Sequence, residues 1–159
     1  MGSVLTLIVI GKRQDWLDYI KMNNLEKLFE INPEYKSGHV LKTKSMIFSI
    51  KILEFSEYLL EHHSAKRIAD QILRSGTSIG ANASEADFGE SKADFIHKLA
   101  ISQKETNETK YWICVCFAKG YIKETYYTEL FNDANELLKI ITKSITTAKS
   151  NMSLKSKPR

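Results

Sequence analysis

Residues 74–89 read RSGTSIGANASEADFG, and the interpretation of this stretch decides the fold. Its large apolar side chains are Ile79 and Phe88 alone, whereas the segments on either side repeat apolar residues every three or four positions, as one face of an α-helix does. Three structures fit so many small residues between helical flanks. They are a phosphate-binding loop, a catalytic serine turn and a helix face against which a second helix packs closely.

The sequence argues against both loop structures. A phosphate-binding loop carries Gly-x-x-x-x-Gly-Lys-Ser/Thr after a strand, but Gly76 and Gly80 are four residues apart and an alanine follows them. A catalytic serine turn has Gly-x-Ser-x-Gly between a strand and a helix. Residues 76–80 match that pattern with Ser78 at the centre, yet the apolar period continues through them from Ile72 to Ala83. A continuous helix with a small-residue face is therefore the favoured interpretation.

The two glycines of this helix need a compensating interaction. Each costs a helix roughly 0.5 to 1 kcal/mol relative to alanine, which close packing by another helix would offset. With a turn near Gly89, antiparallel pairing places Gly80 level with Leu99, and the facing helix is small or polar in this region. We predict a close seam between the second and third helices, or between subunits. Its residues are Gly76, Gly80, Ala83, Ser102 and Thr106.

Four long helical segments account for most of the chain. Only seven glycines and two prolines interrupt the 159 residues. The apolar spacing predicts helices over about 42–61, from a cap at Ser64 to Gly89, from a cap at Ser91 to Gly120, and from there to about 148. Four such helices joined by short turns predict an all-α, up-down-up-down four-helix bundle.

Polar residues at helix-facing positions predict an internal polar network. The same pairing brings Arg74 close to Glu105 and within reach of Glu108, and it puts Asn82 and Glu85 near the other end of the seam. A buried charge without a partner is costly, so we expect these five residues to interact.

A carboxylate metal centre is the sharper alternative for the same glutamates. Di-iron bundles add Glu-x-x-His motifs, and none occurs here. Asp94 and His97 have the right spacing, but His97 lies about three turns from Glu108. Cys114 and Cys116 diverge by roughly 200° around a helix and cannot share a metal or a disulfide. We therefore predict no catalytic residue, no metal and no cofactor.

The charge distribution divides the chain into three parts. Residues 39–148, the predicted bundle domain, carry fourteen basic and fourteen acidic groups, whereas residues 149–159 carry four basic groups and no acid, which equals the net charge of +4. We predict a disordered basic tail over 149–159, which either is merely solvated or contacts RNA or DNA. The candidate contacts on tail and bundle are Lys66, Arg67, Lys92, Lys98, Lys149, Lys155, Lys157 and Arg159.

Residues 1–38 form an N-terminal extension of uncertain structure. The apolar run Val4–Ile10 has seven residues, too few to span a bilayer, and it lacks the flanks of a signal peptide. We therefore expect a cytoplasmic protein without membrane contact. The extension either docks on the bundle or, over residues 1–21, reflects a start upstream of Met22.

Residues 71–113, QILRSGTSIGANASEADFGESKADFIHKLAISQKETNETKYWI, resemble the signature of a known family. It is the four-helix bundle family of the bacterial 23S rRNA intervening-sequence proteins, which is related to the accessory variability proteins of diversity-generating retroelements. The resemblance implies a homopentameric barrel with no known catalytic residue and, in the retroelement branch, binding to a reverse transcriptase and to nucleic acid. The motif positions carried over are Arg74, Ser75, Gly76, Ser78, Gly80, Asn82, Glu85, Phe95, Lys98, Glu105, Asn107, Glu108 and Trp112.

Two classes of function follow. The leading hypothesis is a non-enzymatic, homo-oligomeric scaffold that engages RNA or a ribonucleoprotein. The alternative is a protein-binding accessory module, for example a partner of a reverse transcriptase, or a purely structural protein with no nucleic-acid role. A carboxylate-based enzyme is a third hypothesis, which metal analysis of the purified protein would test.

Overall fold

The structure is a computed structural model that describes residues 24–32, 35 and 40–155. The chain divides into two compact units, Met1–His39 and Val40–Arg159. In the first unit, residues 24–31 form a short helix, α1. The second unit contains α2 (Val40–His63), α3 (Lys66–Ala86), α4 (Lys92–Ala118) and α5 (Glu124–Lys155). The described residues include no strand, which confirms the predicted all-α class.

Helices α2 to α5 pack as an antiparallel bundle. Each packs against the next, and α5 returns to α2 over a shorter contact. At one end, His63 Nε2 lies 2.9 Å from the carbonyl oxygen of Tyr121 in the α4–α5 turn. At the other end, Lys42 Nζ lies 2.9 Å from Asp87 in the α3–α4 turn. We call these the Tyr121 end and the Asp87 end.

The predicted apolar stripes form the core of the bundle. Burial of a large aliphatic or aromatic side chain contributes about 1.5 to 3 kcal/mol, so these stripes are the main source of stability. The residues with no more than 1% of their surface exposed include Phe48, Ile52, Phe55, Leu59, Ile72, Ile79, Leu99, Ile113, Leu130, Leu137 and Ile141.

The start and end of α4 agree with the sequence signals. The Ser91 hydroxyl accepts a hydrogen bond from the Asp94 amide at 3.1 Å, which satisfies one of the free amides of the first turn. Gly120 has a φ of +76° just beyond the helix, a conformation that favours glycine.

The predicted bounds of α3 are wrong at both ends. Ser64 lies in the preceding turn with a φ of +49°, and the helix is preceded by Ala65, whose carbonyl accepts from Ile68 and Ala69. Ser64 is therefore one residue too early to cap it. The helix also ends at Ala86 rather than Gly89, because the following residues turn toward the cap of α4.

Helix α5 extends beyond the predicted bundle domain. It continues to Lys155, so residues 149–155 are helical and differ from the predicted disordered tail. No glycine or proline interrupts this segment, and lysines are favourable near a helix C-terminus. Residues 156–159, with Lys157 and Arg159, lie outside the described residues, as do residues 1–21. None of the described helices has an apolar stretch that is long enough to span a bilayer.

Candidate nucleic-acid interface

The glycines of α3 face α2, whereas the predicted seam placed them against α4 or against another subunit. A Cβ atom at Gly76 would lie 2.7 Å from Ile52 Cγ2, and one at Gly80 would lie 3.2 Å from Ser45 Oγ. The antiparallel pairing predicted from the sequence involved only α4, the helix that follows α3. Ser75 faces that helix, and Gly76 lies about 100° further around α3, where α2 packs. The glycines thus permit close approach of α2 and α3.

A second close contact joins α3 to α4 through small polar side chains. The buried Ser102 hydroxyl donates to the Ile79 carbonyl at 2.9 Å, and Thr106 donates to the Ser102 carbonyl at 2.7 Å. The hydroxyls of Ser75 and Thr109 lie 2.9 Å apart. These side chains find their hydrogen-bond partners within the chain. Ala83, the remaining predicted seam residue, belongs to the apolar core.

Arg74 forms an ion-pair cluster at the edge of the α3–α4 interface. Its Nη1 lies 3.6 Å from Glu105 Oε2, and its Nη2 donates to Glu108 Oε1 and, at 3.2 Å, to Gln71 Oε1. The Arg74 side chain is 53% exposed and that of Glu105 is 13% exposed, so the cluster is at the surface rather than internal. Among the described residues, Glu105 Oε2 and Trp112 Nε1 are buried without a hydrogen-bond partner.

Asn82 and Glu85 do not join this cluster. Asn82 donates to the Ser78 carbonyl at 2.9 Å, and Glu85 pairs with Lys98 at 2.6 Å. Glu85 is 11 residues from Arg74, about 16 Å along the helix, which is too far for a shared contact. The hydrogen bond to Glu85 raises the pKa of Lys98. Lys98 is therefore neutralised by its own neighbour and is a poor candidate for a phosphate contact.

The first half of α5 is acidic and is paired with α2. Residues 124–138 contain four acids and no base. Lys44 lies 2.9 Å from Glu136, and Lys51 lies 2.7 Å from both Glu129 and Asp133. Burial lowers the pKa of Lys51, but the hydrogen bonds to Asp133 and Glu129 outweigh it and raise the pKa overall. These ion pairs therefore link α2 and α5, which share the shorter helix contact of the bundle.

The second half of α5 is basic. Residues 139–155 contain four lysines and no acid. Lys139, Lys143 and Lys149 are exposed, and in the described part of the chain none of them takes part in an ion pair. Seven serine, threonine and asparagine residues lie along the same segment over 142–153, and three of their hydroxyls, those of Ser144, Thr146 and Ser153, donate to carbonyl oxygens of α5 itself. We call residues 139–153 the basic half of α5.

The structure separates the predicted nucleic-acid contacts into groups. Lys149 belongs to the basic half of α5, and Lys92 lines the same groove as Lys143. Lys66 and Arg67 begin α3 at the opposite, Tyr121 end. Lys155 is the last helical residue of α5.

Sequence reasoning missed Lys139 and Lys143. The sequence signal for them is the separation of acidic and basic residues within one helix. It is hidden in the net charge of residues 39–148, which is zero. Within the described ranges, no three His, Cys, Asp or Glu side chains are grouped so that they could hold a metal ion.

The bundle and its signature agree with one known family. The 23S rRNA-intervening sequence protein family matches residues 39–143. The match spans more than half of the chain, so the chain belongs to that family, as the resemblance predicted. Most of the basic half of α5 lies beyond the matched residues.

A solved relative has a similar fold. It is a protein of unknown function from the S23 ribosomal protein family of Bacteroides thetaiotaomicron, seen in a crystal structure. It is 41% identical, and the alignment covers 66% of this chain and 97% of that chain with a TM-score of 0.65. No curated protein matches the chain.

Proposed function

We propose that this protein is a non-enzymatic, homo-oligomeric helical scaffold that binds RNA through the basic half of α5. The observation that carries the proposal is the division of α5 into an acidic half, three of whose four acids pair with lysines of α2, and a basic half that forms no ion pair with the described residues. Lysines together with serine, threonine and asparagine side chains are the groups that contact phosphates in nucleic-acid complexes. A basic surface of this kind binds a polyanion by releasing its counter-ions.

The proposal includes no catalytic role, because Ser78 is not placed as a catalytic serine would be. The sequence GTSIG spells a nucleophile turn, but Ser78 lies in the middle of α3, and its carbonyl accepts the Asn82 side chain. The strand-to-helix turn that exposes such a serine is not formed at this position. We therefore assign the small residues of 76–80 to helix packing and include no cofactor or metal.

One surface feature supports assembly of several copies, for which the resemblance favours five. Leu53 and Leu60 are each 44% exposed and lie seven residues apart on one face of α2. Multi-angle light scattering tests the assembly. We expect about five times the 18.2 kDa mass of one chain, and a mass of one chain would contradict it.

Fluorescence anisotropy with a labelled structured RNA tests the RNA role. We expect the triple substitution Lys139→Gln, Lys143→Gln and Lys149→Gln to lower the affinity by roughly tenfold or more. The matched control replaces three exposed lysines of the Tyr121 end with glutamine, at Lys66, Lys119 and Lys123. A loss confined to the control variant would place the interface at that end, and no binding at low salt by the wild type would contradict an RNA role.

A protein-binding accessory role is the second candidate, and exposed aromatic side chains on α4 favour it. Tyr111 is 61% exposed, and Phe117 stacks on Tyr127 with ring centroids 4.5 Å apart while remaining partly exposed. Exposed aromatic side chains are enriched at protein interfaces. A partner such as a reverse transcriptase would be expected to protect Tyr111, so loss of partner capture by Tyr111→Ala tests this role independently of RNA.

A further inference from the structure

An open groove lies between the start of α4 and the basic half of α5. It has a volume of about 360 Å³, which is at the lower end of the size range of ligand-binding clefts. Lys92 and Lys143 line it together with the polar side chains of Ser144, Thr147 and Asn151. None of the described residues that line it is acidic, so the groove is suited to an anion.

Aromatic rings lie next to the lysines at this end of the bundle. Phe95 lines the groove, and Lys92 Nζ lies 5.9 Å from the centre of its ring. Phe88 is 80% exposed in the α3–α4 turn, four residues before Lys92, and Lys42 Nζ lies 5.7 Å from its ring. Phe88 is the most exposed large apolar side chain of the described residues. The ring is open to solvent at the same end of the bundle as Lys92, in a turn that also carries Glu90 and Asp87, the partner of Lys42.

We propose that this end of the bundle binds single-stranded nucleic acid in preference to a duplex. The phosphates lie along Lys92, Lys143 and Lys149, and an unpaired base stacks on Phe88. This inference rests on the proposed RNA role. It adds that the surface prefers single-stranded to double-stranded nucleic acid. A duplex offers its phosphates to the lysines, but its bases are stacked on one another and are not free to stack on Phe88.

The groups at this end of the bundle can bind a strand without reading its sequence. Lysines and hydroxyls contact phosphate and sugar, and stacking on phenylalanine is tolerant of sequence because every base has a π-face. The expected ligand is therefore a flexible strand of low sequence preference.

The test compares a labelled single-stranded RNA with a blunt RNA duplex of the same length and sequence, using the full chain. We expect tighter binding of the single strand, and we expect Phe88→Ala to lower its affinity about 5- to 100-fold while the duplex affinity is unchanged. Because the Phe88 ring is mostly outside the core, the variant should keep the circular dichroism spectrum of the wild type. Lys143→Gln should weaken both ligands, because it removes a phosphate contact.

Tyr111→Ala is the matched control. Tyr111 is also an exposed aromatic residue of the bundle, but it lies 19 residues further along α4 than Lys92, about 28 Å away. It should leave both affinities unchanged. Equal binding of single strand and duplex, or an unchanged single-strand affinity in Phe88→Ala, would overturn the inference and leave the RNA role intact. Absence of binding to either RNA by the wild type would overturn both.

Discussion

Gly76 is the position at which the bundle restricts side-chain size most tightly. An added methyl group would lie 2.7 and 2.8 Å from two side-chain carbons of Ile52, which is fully buried and cannot move aside. Overpacking of this kind costs about 1 to 3 kcal/mol, which exceeds the gain of up to about 1 kcal/mol from replacing a helical glycine by alanine. We therefore expect Gly76→Ala to lower the free energy of unfolding measured in urea.

Gly80→Ala is the control for this prediction. Its methyl group would meet the Ser45 hydroxyl at 3.2 Å, and that side chain is small. We expect a smaller loss of stability than for Gly76→Ala, whereas Gly80→Leu should cost at least about 1 to 3 kcal/mol. Equal stability of Gly76→Ala and the wild type would show that α2 and α3 do not pack as closely as described.

The two cysteines differ in burial and should differ in reactivity. Burial raises the pKa of the Cys116 thiol to about 11, so it stays protonated at neutral pH, and the thiolate is the reactive form. Cys114 is partly exposed, with its Sγ 3.9 Å from the Tyr127 hydroxyl. We expect iodoacetamide to label Cys114 first and Cys116 only after unfolding, as peptide mass spectrometry would show. Labelling of both at the same rate in the folded protein would argue against the burial of Cys116.

At the scale of the helices, the contact between α3 and α4 contains an ion pair that can be tested by a double-mutant cycle. Arg74 is half exposed, so its coupling to Glu108 should be about 0.5 to 1 kcal/mol rather than that of a buried pair. Arg74→Ala also removes the cation nearest to Glu105, whose side chain is mostly buried. We expect Arg74→Ala to destabilise more than Arg159→Ala. Effects of Arg74→Ala and Glu108→Ala that add within about 0.5 kcal/mol would show that the two residues do not interact.

The apolar period is sufficient to predict the helices. It predicts only in part which helix packs against which face of another. One apolar stripe on each helix is sufficient to predict a bundle, because each stripe must be covered by the others. The partner of the glycines could not be predicted in the same way. Helix α3 has two neighbours, and Ser75 and Gly76 are adjacent in sequence but face different ones.

The C-terminal end of α5 and the question of which lysines form ion pairs could not be predicted from the sequence. Residues 149–155 read as a tail because their composition is polar, whereas they continue a helix that is already formed. The ion pair of Lys98 with Glu85 depends on the register of α3 and α4 around their turn. The charge separation within α5 is visible in the sequence. The structure adds that the ion pairs of α5 with α2 involve only its acidic half.

For the whole molecule, the net charge of +4 understates the local positive charge. Three of the four acids of α5 pair with lysines of α2, whereas a row of lysines toward the Asp87 end is without an ion pair in the described part of the bundle. Assembly of several copies would repeat this row at each subunit. Affinity for a polyanion would then come from the basic halves together, with each phosphate contact adding to the salt dependence.

The salt dependence of RNA binding tests the central claim most directly. The measurement is the affinity for a labelled single-stranded RNA over a series of salt concentrations, for the wild type and for the triple variant Lys139→Gln, Lys143→Gln and Lys149→Gln. The logarithm of the binding constant should fall linearly with the logarithm of salt, and the slope should be shallower in the variant by about 0.7 for each phosphate that it no longer neutralises. Identical slopes and affinities for the two proteins would contradict the assignment of RNA binding to the basic half of α5.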